Sequence, residues 1–259
     1  MNKKDSCIII DFDGTITKKN VMGGVVPSII STLRSEGHLG SAYSEAAYAL
    51  EAKYRPMEIS EDLSFSEKFS AMNEWWEKHL DLLLSSGLHI DHLKLAANSE
   101  KMILREGARE VFNFANENKI PVIIFSASGI GFEPIKFFLE RVNLLTINVH
   151  IVSNQFIWND NGIATGRVEP LVHSMNKNIS VLNLQSEKAY TEIENKKYAI
   201  VVGDNTHDAK MSEGVDFEKV ITYGVINEMT EKNIELFQKA FDKIVLDGES
   251  LEVIVKDLV

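Results

Sequence analysis

The chain has 259 residues, 44% of them hydrophobic and 25% charged, which suits an ordinary globular protein of one large domain or a core carrying a smaller one. Its net charge of −11 argues against a general nucleic-acid surface, so any anionic substrate must be drawn in by local cations or a metal. The single cysteine, Cys7, rules out an intrachain disulfide and points to a reducing, cytoplasmic setting, and no apolar stretch reaches membrane-spanning length.

The first apolar run, Cys7 to Ile10, reads as a buried strand, and Asp11-Phe12-Asp13-Gly14-Thr15 follows it directly. Alternation along a strand puts Asp11 and Asp13 on one side with Phe12 on the other, and Gly14 permits a sharp turn behind them. Two acids that close suit a nucleophile beside a proton donor, with a hard cation between them to take oxygen ligands.

From about Val21 to Arg105 no convincing strand run occurs, and the segment predicts a helical cap, residues 21–105, inserted into a core of residues 1–20 and 106–259. Phe69, Met72, Trp76, Leu80 and Leu83 form one apolar helical face there, with Trp75 and His79 on its flank. Helical spacing returns at Ala108, Val111, Phe112 and Ala115, and again at Ile135, Phe138, Leu139 and Val142. Between these helices Val122 to Phe125 reads as a second strand. It ends in Ser126-Ala127-Ser128-Gly129-Ile130-Gly131, small residues whose backbone N–H groups can approach an anion.

A β-hairpin is expected between Ile151 and Val168, turning at Asn159-Asp160-Asn161-Gly162. Ala199 to Val202 is a third core strand, ending in Gly203-Asp204-Asn205-Thr206-His207-Asp208. Asp204 stands where it can complete a metal site. Asp208 suits a water-orienting group, a partner for Lys177, or a helix N-terminal acid. Val220 to Tyr223 and Ile244 to Leu246 are further strand candidates, and Leu251 to Leu258 a closing helix. Strands alternating with helices predict an α/β fold, a doubly wound parallel sheet whose ligands lie beyond the carboxyl ends of the strands.

Acid pair, strand-end serine, lysine and Gly-Asp strand end, in that order, resemble the haloacid dehalogenase superfamily of phosphohydrolases. The resemblance implies that Asp11 attacks phosphorus to form an aspartyl phosphate and that Asp13 protonates the leaving oxygen and then activates water. It further implies that Ser126 and Lys177 bind phosphate, with Mg²⁺ held by Asp11, the Asp13 backbone carbonyl and Asp204. Outside the core, Lys53 to Glu58, Glu74 to His79, Leu104 to Gly107, Phe125 to Gly131, His173 to Lys177 and Gly248 to Glu252 are similar to the cytosolic pyrimidine 5′-nucleotidases.

That likeness implies a nucleoside 5′-monophosphate substrate, with Glu58 reading the base and His79 standing where the family has a substrate-contacting serine. Ala127 and Ser128 fall where the phosphate loop carries one residue more than the family pattern, and Gly14 replaces its usual Met. A carboxylate at Glu58 accepts from an exocyclic amine, which fits cytosine better than uracil. The competing readings are a small-metabolite phosphatase acting on phosphoserine or a sugar phosphate, and a phosphometabolite-binding module without turnover.

Overall fold

The computed structural model describes residues 2–21, 24–25 and 28–258. Its centre is a six-stranded sheet made of β1 (Ser6–Ile10), β4 (Val122–Phe125), β5 (Val149–Val152), β8 (Tyr198–Gly203), β9 (Lys219–Ile226) and β10 (Lys243–Leu246). The strands run in the order β10-β9-β8-β1-β4-β5, and every pair is parallel. Parallel strands of this kind are covered on both faces, which explains the unbroken apolar runs. Every residue of β1 and β4 is buried.

The two-residue period sorts those runs into two cores. Ile8, Ile10, Val122 and Ile124 face one side, with residues of α5 (Ala108–Glu117) and α6 (Glu133–Arg141). Cys7, Ile9, Ile123 and Phe125 face the other, against α7 (Ile179–Gln185) and α8 (Glu187–Ile193). α9 (Glu231–Ala240) lies beside β9 and β10.

Register brings the strand ends level. Ile10 pairs with both Ile124 and Val202, so Asp11, Ser126 and Asp204 emerge at the same edge of the sheet. The ladder continues into the first of these ends, since the Asp11 N–H donates to the Val202 carbonyl at 2.9 Å. The doubly wound parallel sheet is thus as expected.

Between β1 and α5 the described residues form a short antiparallel pair, β2 (Asn20–Val21) with β3 (Gly24–Val25), and four α-helices. These are α1 (Ile29–Ser35), α2 (Ser41–Ile59), α3 (Phe65–Ser85) and α4 (Ile90–Asn98). Local capping sets their starts: the Ser28 side chain accepts from the Ser31 N–H, and Ser64 and Glu67 form a reciprocal capping box. The segment leaves and rejoins the sheet at one place. Thr17 bridges Leu104, the Lys18 N–H donates to Ile103, and the Arg105 N–H donates to Ile16.

Four details differ from the sequence reading. The β2–β3 pair was not foreseen, because two-residue strands carry no periodicity. Ile151 and Val152 belong to sheet strand β5 rather than to the hairpin, which starts at β6 (Phe156–Trp158) and returns as β7 (Ala164–Arg167). β9 spans eight residues rather than four. Leu251–Asp257 winds as a tight 3₁₀-helix. The hairpin turn itself is as expected, with the Asn159 side chain accepting from the Asn161 and Ile163 N–H groups at 3.0 Å each. Among the described residues no helix is long and apolar enough to cross a membrane.

Candidate active site

Lys177 is the hub of the strand-end cluster. Its side chain is 3% exposed, and its Nζ donates to Asp11 Oδ1 and to Asp208 Oδ1, both at 2.7 Å. Burial alone would drive the ammonium toward neutrality, but the two carboxylates outweigh it and raise its pKa, so the lysine stays charged. The residues before it form a buried turn. The Asn176 side chain accepts from the His173 N–H at 2.8 Å and donates to the Leu171 carbonyl at 2.7 Å.

Asp11 is itself buried, and its second oxygen, Oδ2, accepts from the Thr15 hydroxyl at 3.2 Å. Asp13 is tied to the insert, its Oδ1 accepting from the Ile29 N–H at 2.9 Å at the start of α1. Burial pushes the Asp13 carboxyl up to about 7; the Ile29 bond opposes this, while Asp11 and Asp204 add to it. A carboxyl titrating there can give and take a proton near neutral pH.

Gly14 makes the turn with a φ of +77°, and a Cβ at this position would lie 2.3 Å from Asp204 Oδ2. Its carbonyl accepts from Arg105 Nη2 at 2.7 Å and from Asn227 Nδ2 at 2.9 Å. Arg105 also donates to the Thr15 carbonyl and to Asn227 Oδ1, and Asn227 reaches Asp204 Oδ2 at 3.1 Å. Arg105 and Asn227 therefore lock the acid loop to the Asp204 strand end, and neither was singled out from sequence as a site residue. Asn227 had a usable signal, since it follows β9 just as Asp204 follows β8.

One side-chain oxygen from each of Asp11, Asp204 and Asp208 lies within 4.8 Å of the other two. Burial raises the Asp204 and Asp208 carboxyls, and Lys177 opposes the rise at both. An all-oxygen cluster under that strain fits a hard divalent cation, which takes carboxylate ligands and relieves their repulsion. Asp208 belongs to this group as well as to Lys177. It also accepts from the Asn205 N–H through Oδ2.

These groups line a cavity of about 400 Å³, together with Ser126, Ala127 and Ser128. Ser126 is 2% exposed; the Ser128 hydroxyl accepts from the Ile130 N–H, and the Ser128 carbonyl accepts from Asn154 Nδ2 at 2.9 Å. The insert supplies the rest of the lining. Glu58, its side chain 8% exposed, accepts from the Ser174 hydroxyl at 2.6 Å and pairs with Arg55. Trp75 stacks on Tyr54 with ring centroids 6.0 Å apart, and Trp76 donates to the Ala127 carbonyl at 3.1 Å. His79 is 4% exposed and meets the Tyr43 hydroxyl at 3.1 Å. Every residue singled out from sequence thus lines one cavity, although their roles in turnover are a separate matter.

Residues 14–259 match the model of the pyrimidine 5′-nucleotidase (UMPH-1) family. The chain is 33% identical over 250 residues to a 7-methylguanosine phosphate-specific 5′-nucleotidase of Drosophila melanogaster, covering 95% of this chain and 76% of that one. It is 31% identical over 248 residues to 7-methylguanosine phosphate-specific 5′-nucleotidase A of Xenopus laevis, covering 95% and 84% respectively. Among solved structures it is similar to cytosolic 5′-nucleotidase IIIB bound to cytidine, with a TM-score of 0.87, 29% identity, and coverage of 99% of this chain and 85% of that one. A parallel sheet with acids at its strand ends and these likenesses agree: the chain belongs to the pyrimidine 5′-nucleotidase (UMPH-1) family, and is a phosphoric monoester hydrolase of 5′-nucleotidase type.

Proposed function

We propose that the protein hydrolyses pyrimidine nucleoside 5′-monophosphates, cytidine monophosphate foremost, in a Mg²⁺-dependent reaction in the cytoplasm. The carrying observation is the cavity itself, lined by a lysine-bridged acid cluster from the strand ends and by Glu58, Trp75 and Trp76 from the insert. A phosphate at the acid cluster leaves the base to meet the residues of the insert. Residues 21–105 then act as a cap over a core of residues 1–20 and 106–259. The cytoplasmic setting is supported by the one cysteine, which is buried and unpaired.

In this reading Asp11 attacks phosphorus and the bond to the nucleoside oxygen breaks, that oxygen leaving with the proton of Asp13. Water then attacks the aspartyl phosphate, giving its proton to Asp13 and restoring Asp11. Lys177 and Ser126 hold the phosphoryl oxygens, and Ala127 and Ser128 shape the loop around them. Asp208 keeps Lys177 charged and aimed. Asp11, Asp204 and the Asp13 carbonyl would hold Mg²⁺, which when bound supplies positive charge against the phosphoryl oxygens. Glu58 accepts from the amino group of the base, and Ser174 and Arg55 fix its carboxylate.

A second reading is 7-methylguanosine monophosphate, the substrate named for the Drosophila and Xenopus relatives. A cationic purine suits a carboxylate flanked by indole faces, and Glu58 with Trp75 and Trp76 offers that pairing. Initial rates on cytidine, uridine, 7-methylguanosine, guanosine and adenosine monophosphates, phosphoserine and a sugar phosphate, with Mg²⁺ and with chelator, test both. A base carrying an amino group should give the highest kcat/KM, and chelator should stop the reaction. Faster turnover of phosphoserine or the sugar phosphate than of any nucleotide overturns the nucleotide reading, and activity undiminished by chelator overturns the metal.

A further inference from the structure

The insert sets two ion pairs of opposite build against the cavity. In Arg55–Glu58 the acid is buried and the arginine half-exposed. In Arg34–Glu51 the order reverses, the arginine being 5% exposed and the acid 38%, with Arg34 Nη1 donating to Glu51 Oε2 at 2.7 Å. All four residues line the cavity. The buried member of each pair is the one that packing holds in place, so Glu58 offers a fixed acceptor and Arg34 a fixed donor.

Arg34 is fixed further by its neighbours. Its side chain folds back along α1, where Nη2 donates to the Ser31 hydroxyl at 3.2 Å, and the guanidinium lies 5.2 Å from the centre of the Tyr48 ring. The Ser31 and Ser28 hydroxyls are hydrogen-bonded to each other at 2.9 Å. A guanidinium carries more N–H donors than Glu51 and Ser31 take, and among the described residues the buried Nε of Arg34 finds no partner. Glu51 spends only Oε2 on the pair, so an unspent acceptor, Oε1, stands beside unspent donors.

Ser28, Ser31 and Arg34 recur at every third residue and share one face of α1, and all three line the cavity. The helix starts at Ile29, whose N–H holds Asp13. Because Arg34 reaches back to Ser31, its guanidinium stands within one helical turn, ~5.4 Å along the axis, of that contact. In the reaction proposed above Asp13 protonates the 5′-oxygen of the nucleoside, and the next group beyond that oxygen is the sugar. A hydroxyl both gives and takes a hydrogen bond, which matches a donor and an acceptor side by side. A second phosphate would meet the Glu51 carboxylate, and a base carbonyl would leave it unused. We propose that Arg34 and Glu51 bind the vicinal hydroxyls of the ribose, Arg34 donating to a hydroxyl oxygen and Glu51 accepting from a hydroxyl, so that the enzyme selects ribonucleotides over nucleotides lacking these groups. This rests on the nucleotide reading above and adds the sugar to it.

The test is kcat/KM on cytidine 5′-monophosphate and on its 2′,3′-dideoxy counterpart, with 4-nitrophenyl phosphate as a substrate that has no nucleoside. The parent should favour the ribonucleotide by roughly ten- to a hundredfold, as expected for charged hydrogen bonds to hydroxyls that the analogue lacks. Arg34→Met and Glu51→Ala should each bring that preference to within about threefold, the loss falling on the ribonucleotide. Glu51 is the more exposed partner and alanine suits the interior of α2, so Glu51→Ala carries the test if Arg34→Met does not fold. Equal rates of the parent on the two nucleotides overturn the proposal. Variants that keep the parent's preference overturn it too, and a common loss on both nucleotides would make the pair a structural brace of the insert. A parent that hydrolyses 4-nitrophenyl phosphate but neither nucleotide condemns the nucleotide reading and the sugar site with it, whereas equal turnover of both nucleotides condemns the sugar site alone.

Discussion

The two ends of the cavity are built on different physical terms. At the sheet end Asp11, Lys177 and Asp208 are buried, the lysine donating to each acid at 2.7 Å, and are fixed by strand register and short turns. At the insert end Glu58, Trp75 and Trp76 sit on helices joined to the sheet end by separate side-chain bonds, from Ser174 to Glu58 and from Trp76 to Ala127. A change at the first end disturbs several buried charges together, because each neutralises another. A change at the second reaches only local partners, Ser174 and the half-exposed Arg55 for Glu58 and the Ala127 carbonyl for Trp76, so the reaction and the choice of substrate should be separable by mutation.

The hardest break of that division is Asp11→Asn. Turnover on every phosphate ester should fall by at least about a thousandfold, since an amide keeps the shape and is a poor nucleophile. Single-turnover assays on a nucleotide and an aryl phosphate decide it, and activity within tenfold of the parent would sink the covalent route. Asp13→Asn should slow cytidine monophosphate by roughly a hundred- to ten-thousandfold and an activated aryl phosphate far less, because only the nucleoside oxygen needs a proton on leaving. Equal losses on the two would make Asp13 a positioning group instead.

Glu58→Gln tests the other end. It should lower kcat/KM for the preferred nucleotide by roughly ten- to a thousandfold, as expected when a charged hydrogen bond of about 1.5–3 kcal/mol is weakened, and leave a small aryl phosphate near parental rates. Parental rates on both substrates would remove Glu58 as the base reader and favour the small-metabolite reading.

The smallest effect concerns stability against pH. Burial lowers His79 to about 3 from an ordinary 6.5, with the nearby Arg34 charge adding to the shift. The unfolded chain therefore takes up a proton near pH 6.5 that the folded chain refuses. Stability from this residue is whole above 6.5 and drains as pH falls toward 3, by at most ~1.4 kcal/mol per pH unit. Thermal unfolding from pH 7 to 4.5 should fall off less steeply for His79→Phe than for the parent; parallel curves would mean that the ring is already protonated in the folded state.

What could be read from the chain divides along the same line. The strand ends were legible because an apolar run fixes a buried strand and its last residue fixes where a side chain emerges, so Asp11, Ser126 and Asp204 could be set side by side before any coordinates. Lys177 was harder, being one lysine among many until the buried turn at His173 to Asn176 is seen. Arg105 and Asn227 were missed as site residues because they act through backbone carbonyls far off in sequence, a kind of contact that leaves no local pattern. The edge strand β5 merged with the hairpin because Val149-His150-Ile151-Val152 runs into it with only Ser153, Asn154 and Gln155 between.

The closed neck of the insert carries a consequence for how such a protein can be altered. Residues 17 and 104 are bridged, and their neighbours are hydrogen-bonded across the same gap, so the intervening segment leaves and returns as two adjacent chain ends, while α4 beyond them packs on α6 and shares the core of Ile8 and Ile10. The entropy of closing a loop grows with the logarithm of its length, about 0.6 kcal/mol for each doubling. Changing the length of the loops beyond the neck therefore costs little in closure entropy, whereas α4 and the buried faces of α1 and α3 must be kept, because they complete the core beneath the strand ends.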